Sequence, residues 1–192
     1  MSSRENILNA IKKNQPALSP LAEERIPAMS FSDPKEKFSS VLTGIGGVVI
    51  EVRSWTDITA YIKATFHQNK RIVSCVAGLS IGQSTISADP RQLENVELAI
   101  IKGEFGVAEN GAIWVTDGAM GDRALPLICQ HLALVIDQKD IVHTLHEAYS
   151  RIGSTNYDLG MFIAGPSKTA DIEQSLVLGA HGARSLTAFL ID

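Results

Sequence analysis

The chain has 192 residues, of which 45% are hydrophobic and 20% charged, with a formal net charge of −4. That balance fits one globular domain with a sizeable core and argues against a nucleic-acid-binding surface. No apolar run reaches the roughly 18–20 residues that cross a bilayer. The opening Met-Ser-Ser-Arg-Glu-Asn also lacks the apolar stretch of a signal peptide, so a cytoplasmic protein is expected.

Residues 3–14 read as a short amphipathic helix with Ile7, Leu8 and Ile11 on one face. Such a helix is expected to dock on the body of the protein or on a second subunit, which makes a homo-oligomer one of its readings. Residues 15–34 hold Pro16, Pro20, Pro27 and Pro34, the mark of an extended linker. The expected division is therefore a helical arm and linker over 1–34 and an α/β domain over 35–192. Asp33-Pro34 starts the next helix as N-cap and first residue, with Phe38, Val41 and Leu42 inward. Gly44 to Gly47 ends it, and Val48 to Val52 is a strand. Here glycines follow a helix and precede a strand, the reverse of a dinucleotide-binding fingerprint. Thr56-Asp57 opens a helix with Ile58, Tyr61, Ile62 and Phe66 inward, and Ile72 to Cys75 is a strand. This alternation of strand and helix predicts a mainly parallel sheet flanked by helices. Residues 76–96 are mixed, with turns at Gly78 and Gly82.

Glu97 to Ile101 reads as a strand. Glu109-Asn110-Gly111 follows, and Asn-Gly favours a tight hairpin turn. Glu109 is also the carboxylate best placed for nucleophilic work, since it sits in a turn before a buried strand. Asn110 can both donate and accept hydrogen bonds beside it. Asp117 to Arg123 is a glycine-rich loop in which Arg123 suits a surface ion pair. His131 to Val135 is a strand, with His131 structural at its entry. Asp140 to Tyr149 reads as a helix that carries His143, His146 and Glu147. Two imidazoles and a carboxylate hint at metal, but no third ligand has clear spacing, and a solvated helix face is the stronger reading.

The segment from Gly165 to Gly182 carries the densest chemistry. Met161 to Ala164 looks like a buried strand, and Gly165-Pro166 breaks it. Ser167-Lys168-Thr169 offers hydroxyls that would cap a helix whose apolar face is Ile172, Leu176 and Val177, with Gly179 as its C-cap. A helix N-terminus after a strand is a place for an anion, served by backbone amides, Ser167, Lys168 and Thr169. Asp171 and Glu173 would answer the helix dipole without a ligand. His181 and Arg184 follow. A ten-residue helix is about 15 Å long, so His181 is expected at its far end. A strand from Leu186 to Ile191 completes the chain.

The two cysteines, Cys75 and Cys129, lie far apart in apolar surroundings. Buried free thiols are expected, with no disulfide framework and no iron–sulfur cluster held by this chain alone, since a cluster usually needs about four thiolates. Hydrolase-elbow, Walker and His-Glu-x-x-His motifs are missing from the sequence.

Gly165 to Glu173 with Gly179-Ala180-His181-Gly182-Ala183 resembles the C-terminal signature of the lactate utilization protein C family, the LUD domain. That signature runs Gly-Pro-Ser-Arg/Lys-Thr-Ala-Asp-Ile-Glu, then Gly-Val-His-Gly-Pro. Ala180 and Ala183 depart from it. Gly106 to Ala112 is similar to a second family segment, Gly-Ile-Ala-Asp/Glu-Thr-Gly-Thr, with Asn110 and Ala112 in place of hydroxyls. His143 stands where the family's Ile-Val-Pro-Thr-Leu has proline. The resemblance implies a fold like that of ribose-5-phosphate isomerase and coenzyme A transferases. It implies a role in oxidising L-lactate to pyruvate, which lets a bacterium use lactate as carbon source, beside partner proteins that hold iron–sulfur clusters. It also makes Arg123 a candidate anion contact, which joins Asn110, Gly111, Ser167, Lys168, Thr169, Asp171, His181 and Arg184 as the candidate ligand-binding residues for a small carboxylate or other anion. Glu-Asn-Gly resembles the catalytic glutamate segment of class I coenzyme A transferases, which keeps an enzyme using Glu109 as an alternative. A non-catalytic assembly subunit is the third reading.

Overall fold

The computed structural model describes residues 2–17, 19, 29–67, 69–82, 89–153, 156–170 and 176–192. Helix α1, Ser3–Lys13, starts on a capping box: Glu5 N donates to Ser2 Oγ, and Ser2 N donates to Glu5 Oε2. Lys12 and Lys13 complement its C-terminal dipole. No residue of α1 is buried, and Ile7, Leu8 and Ile11 are all exposed. The expected docking of this helix on the body is therefore not seen. Of the linker, residues 18 and 20–28 lie outside the described residues.

Helix α2, Pro34–Gly44, starts at Asp33, whose Oδ1 accepts from Glu36 N at 2.9 Å, with Pro34 at the first helical position. Strand β1, Val48–Val52, leads to α3, Trp55–Thr65. Ser54 caps α3, so it opens slightly earlier than Thr56-Asp57. Then come β2, Ile72–Ser74, β3, Leu98–Lys102, β4, Phe105–Val107, and β5, Ala112–Thr116. Short helices α4, Asp117–Met120, and α5, Leu125–Ile128, precede β6, His131–Asp137. Strand β7, Ile141–Val142, α6, Leu145–Ile152, and β8, Gly160–Ile163, follow. The chain ends with β9, Lys168–Ala170, β10, Leu176–Leu178, and β11, Ser185–Ile191.

The central sheet has five strands in the order β1-β11-β6-β3-β2, every pair parallel. Period-2 alternation gives each face its own core. Leu98 and Ile100 of β3 join Ile58 and Ile62 of α3 on one side. Ala99 and Ile101 join Phe38 and Leu42 of α2 on the other. The expected α/β architecture, with a parallel sheet between helices, is what the chain adopts.

A second sheet, in the order β7-β4-β5-β8, lies over the α2 face, where Ile113, Val115 and Ile141 enter the same core. Its other side, through Phe105, Val107 and Trp114, packs on Ala148 and Ile152 of α6. The sheets approach closely because Gly103 has no side chain: a Cβ there would lie 2.4 Å from Ile113 Cγ2 and 2.7 Å from Ile136 Cγ2.

Two expected helices are corrected. Residues 140–149 are not one helix: Gln138–Asp140 is a 3-10 turn, β7 follows, and α6 begins at Leu145. The described residues after Pro166, Ser167 to Ala170 and Leu176 to Leu178, are not helical either. Lys168 to Ala170 pairs antiparallel with Leu176 to Leu178. The ladder wins because the turn's own backbone groups are claimed from a distance: Ser167 N donates to Ala183 O at 2.9 Å and Gly179 N donates to Ser167 O at 3.0 Å.

Candidate functional site

The two signature segments meet on the C-terminal half of α2. Gly111 closes the β4–β5 hairpin, its N donating to Val107 O at 2.9 Å, and adopts a φ of +69°. A Cβ there would sit 2.9 Å from Leu42 N. Gly165, at φ +71°, would bring its Cβ within 3.2 Å of Ile45 O. Glycine is demanded at both places by the close approach of two backbones, as well as by the positive φ.

Glu109 is exposed, and its Oε2 accepts from Leu145 N at 2.8 Å. That carboxylate answers an orphan amide and the positive dipole end of α6, beside the N-cap Thr144. Its own N donates to His143 O at 3.0 Å. Asn110 Oδ1 accepts from Ala112 N at 3.0 Å, an Asx turn inside the hairpin. His143 is not on a solvated helix face. It precedes α6, its ring stacks on Phe31 with centroids 6.1 Å apart, and its Nδ1 accepts from Phe31 N at 2.9 Å. Accepting at Nδ1 leaves the proton of a neutral ring on Nε2. Glu147 Oε2 accepts from His143 N. Among the described residues no group of three His, Cys, Asp or Glu side chains gathers to hold a metal.

Lys168 is exposed and reaches across to α2, where Nζ donates to Ile45 O. The last turn of α2 has no basic residue of its own, so Lys168 supplies a cation to its negative end from another part of the chain. The lysine thus has a structural occupation already. Lys168 to Ala170 is a strand and not the first turn of a helix, so no helix N-terminal amides converge at Ser167-Lys168-Thr169, and that basis for the anion site is withdrawn. Side chains remain: Ser167, Lys168 and Thr169 on the hairpin, with exposed His181 and Arg184 nearby. The hairpin folds the chain back, so that a Cβ on Gly182 would lie 3.1 Å from Ser167 Cβ. The 181–184 segment therefore lies beside Ser167, not a helix length away. Asp171 lies outside the described residues.

Arg123 stands apart. Its Nη2 pairs with Asp117 Oδ2 at 2.8 Å and Asp158 Oδ2 at 3.3 Å. The guanidinium hydrogen bond holds the Asp117 carboxyl below its ordinary value. An incoming anion would have to displace one of these carboxylates.

Sequence reasoning left His131 as a structural residue and missed the charges around it. His131 Nδ1 is 2.7 Å from Ser185 Oγ, and Phe66 packs edge-on against its ring at 5.4 Å. Burial pushes the imidazole below its ordinary value; Glu97 opposes this, while Arg184 and Lys70 add to it. The adjacent pair Lys70-Arg71 after α3 was the available signal. Of the two thiols expected to be buried, Cys129 is buried and Cys75 is half-buried. Burial raises Cys129 to about 12, and it raises Cys75, whose Sγ donates to Met120 O.

The architecture is that of a parallel-sheet α/β protein whose motif-bearing loops grip one helix end, and comparison with known proteins gives it a family. The LUD domain profile matches residues 89–191, more than half of the chain, and the chain belongs to the LUD domain family. It is 29% identical over 118 residues to Lactate utilization protein C of Bacillus pumilus, which covers 55% of this chain and 49% of that protein. It is 26% identical over 108 residues to the uncharacterized protein YkgG of Escherichia coli K12, covering 53% and 46%. The chain thus spans about half the length of the curated relatives it matches. The crystal structure of a DUF162 family protein from Deinococcus radiodurans superimposes with a TM-score of 0.66 at 20% identity, over 86% of this chain and all of that one. That likeness bears on the fold alone. Among the described residues no helix is long and apolar enough to cross a membrane.

Proposed function

We propose that this chain is a cytoplasmic component of L-lactate utilization that supports oxidation of L-lactate to pyruvate together with iron–sulfur partner proteins. The observation that carries the reading is the similarity to proteins named Lactate utilization protein C. Oxidation of lactate releases two electrons and two protons, and the electrons need a carrier. With two thiols, both raised by burial, against the roughly four that a cluster takes, this chain is poorly equipped to be that carrier. Clusters on partner proteins fill the role. Freshly purified protein should be colourless, and a visible cluster or flavin spectrum would overturn this division of labour.

Within the reading, the substrate or product carboxylate rests on the 167–169 hairpin. Lys168 supplies charge by exchanging Ile45 O for the ligand, and Ser167, Thr169, His181 and Arg184 supply donors. Affinity is expected to be modest and salt-sensitive, because Lys168, His181 and Arg184 are exposed. Two measurements test it. Removal of this chain from the source organism should abolish growth on L-lactate and leave growth on pyruvate intact. Unimpaired growth on lactate would reject the role. Calorimetric titration of lactate, pyruvate and phosphate should then show weaker binding to Lys168→Ala than to wild type. Equal binding would leave Lys168 serving only α2.

One observation favours the assembly reading as a companion to this one: the exposed apolar stripe of Ile7, Leu8 and Ile11 on α1 is a ready partner surface. A chain lacking residues 2–14 would then lose partner binding while keeping its fold. The transferase reading requires a covalent acyl-Glu109 intermediate. Glu109→Gln that still supports growth on lactate would remove Glu109 from the mechanism.

A further inference from the structure

A cavity of about 480 Å³ lies between the C-terminal end of α3, the start of β2 and the 81–82 turn. Its apolar wall is Ile62, Phe66, Ile72 and Ile81, and its polar rim includes Lys63, Lys70 and Arg71. The turn closes over β2 because residue 82 is glycine. At φ +81°, a Cβ there would lie 2.7 Å from Ile72 O.

The rim is held in place. Arg71 Nη1 donates to Gln92 O and, at 2.6 Å, to Asn95 Oδ1. Lys70 Nζ pairs with Glu97 Oε2 at 3.3 Å. Lys63 makes no ion pair among the described residues. No carboxylate lines the cavity among the described residues, although the chain carries a net charge of −4. A hollow with an apolar wall and a rim of cations on an acidic protein selects for one kind of guest. The guest needs an apolar body to cover Phe66, Ile72 and Ile81, and a negative headgroup for the lysine rim.

We propose that this cavity binds an amphipathic monoanion: an apolar body bearing one carboxylate, with Lys63 and Lys70 at the headgroup. Lactate, pyruvate and phosphate are too small to fill it and offer little apolar surface. None of the residues of the hairpin reading lines the cavity, and the proposal stands or falls independently of any role in lactate use.

The probe is sodium octanoate, titrated calorimetrically into the full chain. One saturable site is expected. Acetate, which keeps the headgroup, and 1-octanol, which keeps the body, should each bind about tenfold more weakly or worse, the equivalent of about 1.4 kcal/mol. Lys63→Glu, at an exposed position, should weaken octanoate by a similar factor. Lys12→Glu makes the same charge change on α1, none of whose residues lines the cavity, and should leave binding unchanged. Near-ultraviolet circular dichroism checks that each variant is folded. Absence of saturable octanoate binding would overturn the proposal. So would equal binding of octanoate and octanol, or equal weakening by Lys63→Glu and Lys12→Glu.

Discussion

The five-stranded parallel sheet and the motif-bearing periphery hold their residues for different reasons. In β3, Leu98 to Ile101 are all buried, and what each position needs is apolar volume on the correct face. In the periphery, size and charge at single atoms matter more. Gly103 lets two sheets touch, Gly111 and Gly165 let two turns reach α2, Glu109 answers the start of α6, and Lys168 answers the end of α2. A motif rich in glycine and charge thus has a mechanical explanation before a catalytic one. The hairpin reading of lactate binding has to coexist with it: Lys168 serves a ligand only if α2 tolerates its departure.

The contrast can be broken at several points, and the largest effect belongs to the sheet. Leu134 is fully buried in β6, so Leu134→Ala should cost about 2–5 kcal/mol in urea unfolding. A loss below that range would mean that this core relaxes around the gap and is less tightly packed than its burial implies.

Adding atoms to the periphery should come next. A Cβ on Gly160 would fall 2.2 Å from the Trp114 ring. Gly160→Ala should therefore destabilise by about 1–3 kcal/mol through overpacking and shift Trp114 fluorescence. Unchanged fluorescence and stability would show that β8 can slide from β5 freely.

Charge at the helix ends should matter least. Glu109→Gln and Lys168→Ala are each expected to lower stability by at most about 1 kcal/mol, and less in high salt. The two sites serve different helices, so their effects should add in the double variant. A loss of several kcal/mol from either would show a deeper structural role than capping.

The last expectation is a pH slope. His131 is held below its ordinary value by burial, so below that ordinary value the unfolded chain takes up a proton that the folded chain resists. Stability linked to His131 is present above pH ~6.5, the unfolded value, and is lost as pH falls towards the folded one. His131→Gln should flatten that part of the urea midpoint profile. An identical slope in the variant would assign it to other groups.

Local chemistry made much of the frame legible. Asp33-Pro34 announced α2, and the apolar runs at 48–52, 98–101 and 131–135 announced three strands of the parallel sheet. Asn110-Gly111 announced the hairpin. Each of these signals is complete within a few residues: a cap and its amide, a short apolar run, a turn that needs positive φ. The 165–184 segment is different. Its hydroxyls, its acids and the spacing of Leu176 and Val177 suit a helix as well as a hairpin. The decision came from Ala183 O accepting Ser167 N and from Gly179 N donating back to Ser167 O. The same holds for the helix at 140–149, where pairing of Ile141 and Val142 with β4 overrode helical spacing. The sites follow the same division. The sequence by itself named Glu109 and Lys168 as charges worth attention, because charge and neighbours can be read along the chain. Only the tertiary structure showed that each one faces a helix end. It also showed that Lys63, Lys70 and Arg71 share one apolar hollow. Those relations depend on elements far apart in sequence meeting in space, and no local pattern encodes that distance.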